Sequence, residues 1–184
     1  MKRVFVIAGI GGQGVLSIGQ TVSQYMNKIG KKSTFAPIYG PQQRGGPAKC
    51  TVIVEDEGNV LSPMAKTCDV LMVLNQKSVR TYQDDLKPGG LFIYNSCRVD
   101  KPTEREDVVK LEVPADDIAI EAGSIKMANS VMIPFLLRFF PDVDPDIFLE
   151  DYLKKFEKKG EEAVAANRKA FKAGEKLAQQ IEIG

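Results

Sequence analysis

Apolar residues in this chain come in short runs, and most runs end at a glycine or a polar turn. Lys2–Ala8 turns continuously apolar at Val4 and stops at Gly9, which predicts a buried strand. Val15, Ile18, Val22, Tyr25, Met26 and Ile29 then recur at helical spacing with Gly30 behind them, predicting a helix over 15–29. Further strands are predicted over 33–39, 49–55, 69–74, 91–95 and 108–113, and a helix over 76–86 stopped by Pro88-Gly89-Gly90. Strands alternating with helices predict an α/β fold, a Rossmann-like, mostly parallel sheet with helices on both faces.

The pattern changes in the last third. A short helix is predicted over 115–123. Residues 125–140 are apolar on most sides and contain Pro134, predicting a buried helix kinked or broken there. Residues 145–159 and 161–181 are amphipathic and charged. The expected organisation is one domain over 1–184, with a sheet part over 1–140 and a helical tail over 141–184. Met127, Val131, Phe135 and Phe139 form one apolar face, and Met132, Leu136 and Phe140 a second beside it. That is more than one sheet face covers, so the isolated chain is expected to self-associate.

Two glycine-rich stretches interrupt the pattern. In "GIGGQG", Gly9, Gly11 and Gly14 fit the dinucleotide spacing G-x-G-x-x-G between a first strand and a first helix. Glycines there permit a tight turn and close approach of a ligand, and the helix N-terminus offers free amides to an anion. Gln13 sets an amide at the loop tip, able to donate to a phosphate or a partner. The dinucleotide pattern also needs an acid at the end of the second strand, for the ribose. Here that strand ends "TFAPIYGP" with no acid, which argues against NAD or FAD. The second stretch, "YGPQQRGGP", follows the second strand and is expected at the same sheet edge, with Arg44 as its one charge before Gly45 and Gly46.

Composition narrows the chemistry. The chain has 184 residues, is 43% apolar and 27% charged, and carries a net charge of +1, which gives no overall bias toward nucleic acid or membrane. No apolar run approaches a membrane span, and the N-terminus lacks a signal-peptide cleavage site, so a cytoplasmic location is expected. Acidic residues are absent before Glu55, whereas Lys2, Arg3, Lys28, Lys31, Lys32, Arg44 and Lys49 are basic. An acid-free first third around a glycine loop suits an anionic ligand or an acidic partner. The chain has no histidine, which removes the usual general base and nucleophile pairs. The three cysteines, Cys50, Cys68 and Cys97, are widely spaced, so no metal site and no iron–sulfur cluster is expected in this chain.

Several of these stretches occur together in one known family. "GIGGQG", "YGPQQRGG", Ser62-Pro63, "LNQ" at 74–76, "LKPGGLFIYNS" at 86–96 and "VPADDIAIEAGSIKMANSVMI" at 113–133 resemble the gamma subunit of 2-oxoacid:ferredoxin oxidoreductases. The YGP…RGG form looks most like the 2-oxoglutarate type, less like the pyruvate and ketoisovalerate types, and departs at Gln43, where the family often has Glu. The resemblance implies a non-catalytic gamma subunit. The enzyme would decarboxylate a 2-oxoacid oxidatively to its acyl-CoA and pass electrons to ferredoxin. It implies partners in alpha and beta subunits, with or without a ferredoxin-like delta subunit. Thiamine diphosphate, Mg and the iron–sulfur clusters would sit on those other chains. This chain would carry no cofactor of its own and would help to receive coenzyme A. By analogy Gly11, Gly12, Gln13 and Gly14 line the ligand or partner cleft, with Arg44, Gly45 and Gly46 opposite; Asn129 is given no ligand role.

Two other readings remain open on the residues. One is a free-standing NADP-dependent Rossmann reductase in which Lys31 and Lys32 meet the 2′-phosphate. The other is a scaffold subunit with no ligand of its own.

Overall fold

The structure, a computed structural model, describes residues 2–40, 45–56 and 65–181. The chain divides into two units, 1–113 and 114–184. The break falls at Pro114, earlier than the composition change near Pro141. The helix after Pro114 and the apolar helix containing Pro134 therefore belong with the helical unit.

The first unit contains β1 (Lys2–Ile10), α1 (Val15–Lys28), β2 (Lys32–Tyr39), β3 (Pro47–Glu55), β4 (Cys68–Val73), α2 (Gln76–Tyr82), β5 (Leu86–Asn95) and β6 (Val109–Val113). Its described residues form a six-stranded sheet of order β2-β3-β1-β4-β5-β6. Parallel pairing joins β1 to β4, β4 to β5 and β5 to β6. β3 runs against both of its neighbours, β1 and β2, so the other five strands share one direction. The hairpin β2–β3 thus inserts its second strand between β2 and β1, an order that hydropathy alone does not disclose.

Both faces of β1 are apolar, because helices cover both. Phe5 and Ile7 stand opposite Val52 and Cys50 on one face, where α1 lies. Gly19 of α1 crosses β3 so closely that a Cβ would come 2.5 Å from Cys50 Sγ and 3.1 Å from Val52 Cγ2. On the other face Val4, Val6, Ala8 and Ile53 join a core with Leu71, Val73, Phe92 and Val79 of α2. Each of the larger side chains, the valines, Ile53, Leu71 and Phe92, contributes about 1.5–3 kcal/mol when fully buried. At the end of α1, Lys31 N donates to Met26 O and Gly30 N to Asn27 O, a Schellman stop that requires the positive φ of Gly30.

The stretch after α2 departs from expectation. α2 ends at Tyr82, a single 3-10 turn spans Gln83–Asp85, and β5 already begins at Leu86. Pro88-Gly89-Gly90 lies inside that strand rather than in a loop. Leu86 faces Cys68 and Leu91 faces Val70, so four residues of β5 answer one of β4. Gly89, at φ +74°, carries the bulge. Arg105 ties it down by donating to the carbonyls of Gln83 and Leu86, at 2.7 and 2.6 Å.

The second unit contains α3 (Ala115–Ala122), α4 (Ala128–Leu137), α5 (Pro145–Leu153) and α6 (Glu161–Gln179), with 3-10 turns over Ile125–Met127 and Lys154–Lys159. α4 runs through Pro134 as one helix, buried from Ser130 to Leu137. It packs on α3 and α6. Ser130 Oγ donates to Asn167 Oδ1 at 2.6 Å and lies 2.7 Å from the Tyr152 hydroxyl, a buried polar knot joining α4, α5 and α6. Asp144 caps α5 through the Asp146 amide, ahead of Pro145 at the first helical position. Val131, Met132, Phe135, Leu136 and Phe140 are each at most 4% exposed. Most of the two apolar faces is therefore covered within the chain, with Met127 and Phe139 of the first face half-buried, which leaves less surface for self-association than the pattern suggested. No helix among the described residues is long and apolar enough to cross a membrane.

Candidate functional site

The C-terminal ends of β1, β2, β4 and β5 share one edge of the sheet, which is where glycine loops can act. The turn after β1 starts at Ile10, whose carbonyl accepts from Gln13 N at 3.1 Å. Gly12 and Gly14 take φ of +100° and +76°, a backbone that only glycine adopts without strain. α1 follows without a side-chain cap and without an acidic residue in its first turn. Among the described residues no acceptor sits on the Gly12 or Gly14 amide. With the first amides of α1 these form a set of donors at a positive helix end, suited to an anion.

The second glycine stretch reaches the same place. Gly11 N donates to Gly46 O at 2.9 Å, so the two loops touch through backbone. Gly46 is buried, and Gly45 is exposed at φ +73°. Gly11, Gly12, Gln13, Gly14, Gly45 and Gly46 thereby lie on two adjoining loops. Arg44 lies outside the described residues, as do Gln43, Ser62 and Pro63.

Gln13 does something the sequence reading did not assign. Its Oε1 accepts from Ile10 N at 2.9 Å and its Nε2 donates to Leu74 O at 3.0 Å. The amide expected to serve a phosphate or partner instead bridges the ends of β1 and β4. Gly9 makes room for it, since a Cβ there would stand 2.6 Å from Gln13 Oε1 and 3.2 Å from Leu74 Cβ. Leu74 O is the partner that sequence does not disclose; it is a backbone atom 61 residues away and carries no residue-type signal. Beside it, Asn75 caps α2 through the Ser78 amide at 3.0 Å, and Gln76 holds both the amide and the carbonyl of Lys101.

The basic residues of the first third are only partly available. Lys31 pairs with Asp56 at 2.7 Å and Lys49 with Asp85 at 2.7 Å. Lys31 precedes β2 and Lys32 begins it, opposite Glu55, whereas the glycine loops lie beyond its last residue, Tyr39. Eight residues of strand, about 25 Å at 3.3 Å each, separate the two ends. Lys31 and Lys32 therefore cannot read a 2′-phosphate on a nucleotide whose pyrophosphate sits at the glycine loop, and the free-standing NADP reductase finds no support.

The cysteines offer no ligand set. Cys50 on β3 and Cys68 on β4 are buried, and burial pushes both thiols up to about 12, against thiolate formation; Cys97 is exposed. Among the described residues no group of three or more His, Cys, Asp or Glu could hold a metal ion.

Comparison with known proteins gives a consistent result. The family model described as pyruvate ferredoxin/flavodoxin oxidoreductase matches residues 4–177. The chain is 36% identical to ketoisovalerate oxidoreductase subunit VorA of Methanothermobacter thermautotrophicus, over 95% of this chain and 36% of that protein. It is 29% identical to 2-oxoglutarate synthase subunit KorC of Methanocaldococcus jannaschii, over 98% of this chain and 96% of that protein. Two solved structures resemble it. One is a 2-oxoglutarate:ferredoxin oxidoreductase from Magnetococcus marinus with 2-oxoglutarate, coenzyme A and succinyl-CoA bound; it has TM-score 0.88 and 28% identity, over 98% of this chain and 32% of that one. The other is a keto/oxoacid ferredoxin oxidoreductase gamma subunit from Geobacter sulfurreducens, with TM-score 0.82 and 27% identity, over 98% of both chains. The chain thus spans about a third of the VorA protein, and nearly all of the KorC and gamma subunits.

Proposed function

The chain belongs to the pyruvate ferredoxin/flavodoxin oxidoreductase family, and from that we propose that it is the gamma subunit of a multisubunit 2-oxoacid:ferredoxin oxidoreductase. The enzyme decarboxylates a 2-oxoacid such as 2-oxoglutarate oxidatively, forms the acyl-CoA and passes the electrons to ferredoxin. This chain supplies part of the coenzyme A contact and a subunit interface, and works in the cytoplasm with alpha and beta chains, with or without a ferredoxin-like delta chain. The observation that carries the site is the Gly11–Gly46 backbone bond, which sets two glycine loops side by side at an uncapped helix start. Open amides and a helix dipole suit the phosphates of coenzyme A, and an arginine two residues before Gly46 adds a planar fork of donors.

Among the described residues no ligand set for Mg or an iron–sulfur cluster is assembled. Two of the three thiols are buried on separate strands, and no carboxylate cluster accompanies them among the described residues. Those groups, and the redox steps they support, are assigned to the partner chains. What this chain does is positioning: it presents N–H donors to an anion.

The test is the assembled enzyme. Arg44→Ala removes one charge-assisted contact, worth about 1.5–3 kcal/mol, and raises the KM for coenzyme A roughly tenfold to a hundredfold. Gly12→Val places a side chain where the ligand approaches and raises the same constant. Assembly and thermal unfolding remain near those of the parent for Arg44→Ala. An unchanged KM in both variants refutes the coenzyme A assignment. Co-purification without thiamine- and cluster-bearing chains refutes the subunit assignment. The 2-oxoacid panel includes a branched acid beside 2-oxoglutarate, because the VorA relative is the more identical of the two relatives compared.

A further inference from the structure

In a doubly wound sheet, the ligand crevice opens where neighbouring strands send their connections to opposite sides. Here that point is between β1 and β4. β1 leads through α1 toward β2 and β3 on one side, and β4 leads through α2 toward β5 on the other. Gln13 fills this point. Its amide joins Ile10 N on β1 to Leu74 O just beyond β4, and only one orientation satisfies both, because the oxygen must accept and the nitrogen must donate. The loop is fixed on its other side by Gly11 N on Gly46 O. A continuous tie therefore crosses the sheet edge over β3, β1 and β4, and the Gly12 and Gly14 amides stand within it.

We propose that Gln13 is a positioning residue. It closes the crevice between β1 and β4, and by pinning the loop it holds the Gly12, Gly14 and first-turn α1 amides toward an anion arriving from outside the sheet. This rests on the coenzyme A reading above and refines it: the ligand's phosphates meet backbone, not the Gln13 side chain. Gly9 is the structural counterpart, because any side chain there would displace the Gln13 amide.

The test uses the enzyme assembled with its partner subunits and coenzyme A as the varied substrate. Gln13→Met keeps the length and loses both hydrogen bonds. Gln13→Glu keeps the acceptor for Ile10 N but sets a second acceptor against the Leu74 carbonyl, so it loses that bond. Both variants raise the KM for coenzyme A about fivefold, with kcat within about twofold. A fall in kcat at constant KM overturns the proposal. Failure of either variant to assemble also overturns it, by making Gln13 a residue of the fold. If Arg44→Ala and Gly12→Val raise the KM and the Gln13 variants do not, positioning fails alone; if all four leave it unchanged, the coenzyme A reading fails with it.

Discussion

Gly174→Ala sets two opposing effects against each other. In an exposed helix this change is stabilising by about 0.5–1 kcal/mol, because glycine loses more backbone freedom on folding. Gly174 is instead the buried point at which α6 crosses α4. A Cβ there would lie 2.9 Å from both the carbonyl carbon and the Cα of Val131, and nearer still to its oxygen. Ordinary carbon–carbon contact begins near 3.5 Å, so the helices must part by at least about 0.5 Å, and backbone atoms have no rotamer by which to yield. A gap of that size forfeits about a quarter of the dispersion well over the facing side chains, Val131 and Phe135 on α4 and Ala170, Phe171 and Ala178 on α6. Overpacking at this site costs about 3 kcal/mol, the upper end of its usual range, against a gain of about 1. The net loss is about 2 kcal/mol, or a fall in Tm of about 4–8 °C for a chain of this size. Urea and thermal unfolding followed by far-ultraviolet circular dichroism measure it. A variant as stable as the parent, or more stable, refutes the close crossing.

The two loop glycines should separate by mechanism. Gly9→Ala collides with the Gln13 amide and Val15 and should lower Tm more than Gly12→Ala, which has open space and only the strain of φ +100°, about 1–3 kcal/mol; equal losses would contradict this. Native alkylation near neutral pH should label Cys97 alone, because Cys50 and Cys68 are buried with thiols pushed up to about 12; peptide mass mapping that finds label on either buried thiol counts against the packing. The same two thiols make stability fall with alkali. Both have folded values raised above the ordinary value of 9.0, so their contribution is complete below pH 9 and is lost as pH rises toward 12. Unfolding midpoints that stay level between those limits, in a comparison with Cys50→Ala and Cys68→Ala, would sink that linkage.

Elements set by local pattern were legible in advance. α1 carries five of the six apolar positions read at helical spacing, with Ile29 and a glycine stop just behind it, and it forms within a residue of the range read from sequence. The sheet edge shared by the two glycine stretches was also readable, since it follows from strand direction alone. What escaped was set at long range. β3 slots between β1 and β2 because hairpin closure and burial decide the order, and hydropathy is the same for either neighbour. Pro88-Gly89-Gly90 looked like punctuation, yet Arg105 holds the carbonyls that precede the bulge and Gly89 N donates to Asp107 O, which keeps the segment in the sheet. The helical unit begins at Pro114 because α3 packs on α4 and α6, a tertiary choice without a composition boundary. Gln13 looked like a ligand group because its partner at Leu74 is a carbonyl, which every residue has.

The central place of β1 has a consequence for the order in which the chain acquires shape. β1 cannot complete its pairing until residues 47–55 and 68–73, which follow it in the chain, have been made, since those are its two neighbours. Contacts of that sequence separation are slow to close, and their entropy must be met before they reward the chain. The glycine loop inherits this delay. Its ties run to Gly46 and Leu74, one on each side, so neither half of the edge can settle before the other strand docks. A nascent chain halted before Leu74 would carry the whole "GIGGQG" stretch and still lack its geometry. The loop is therefore a late and cooperative product of folding, formed only when the middle of the sheet closes.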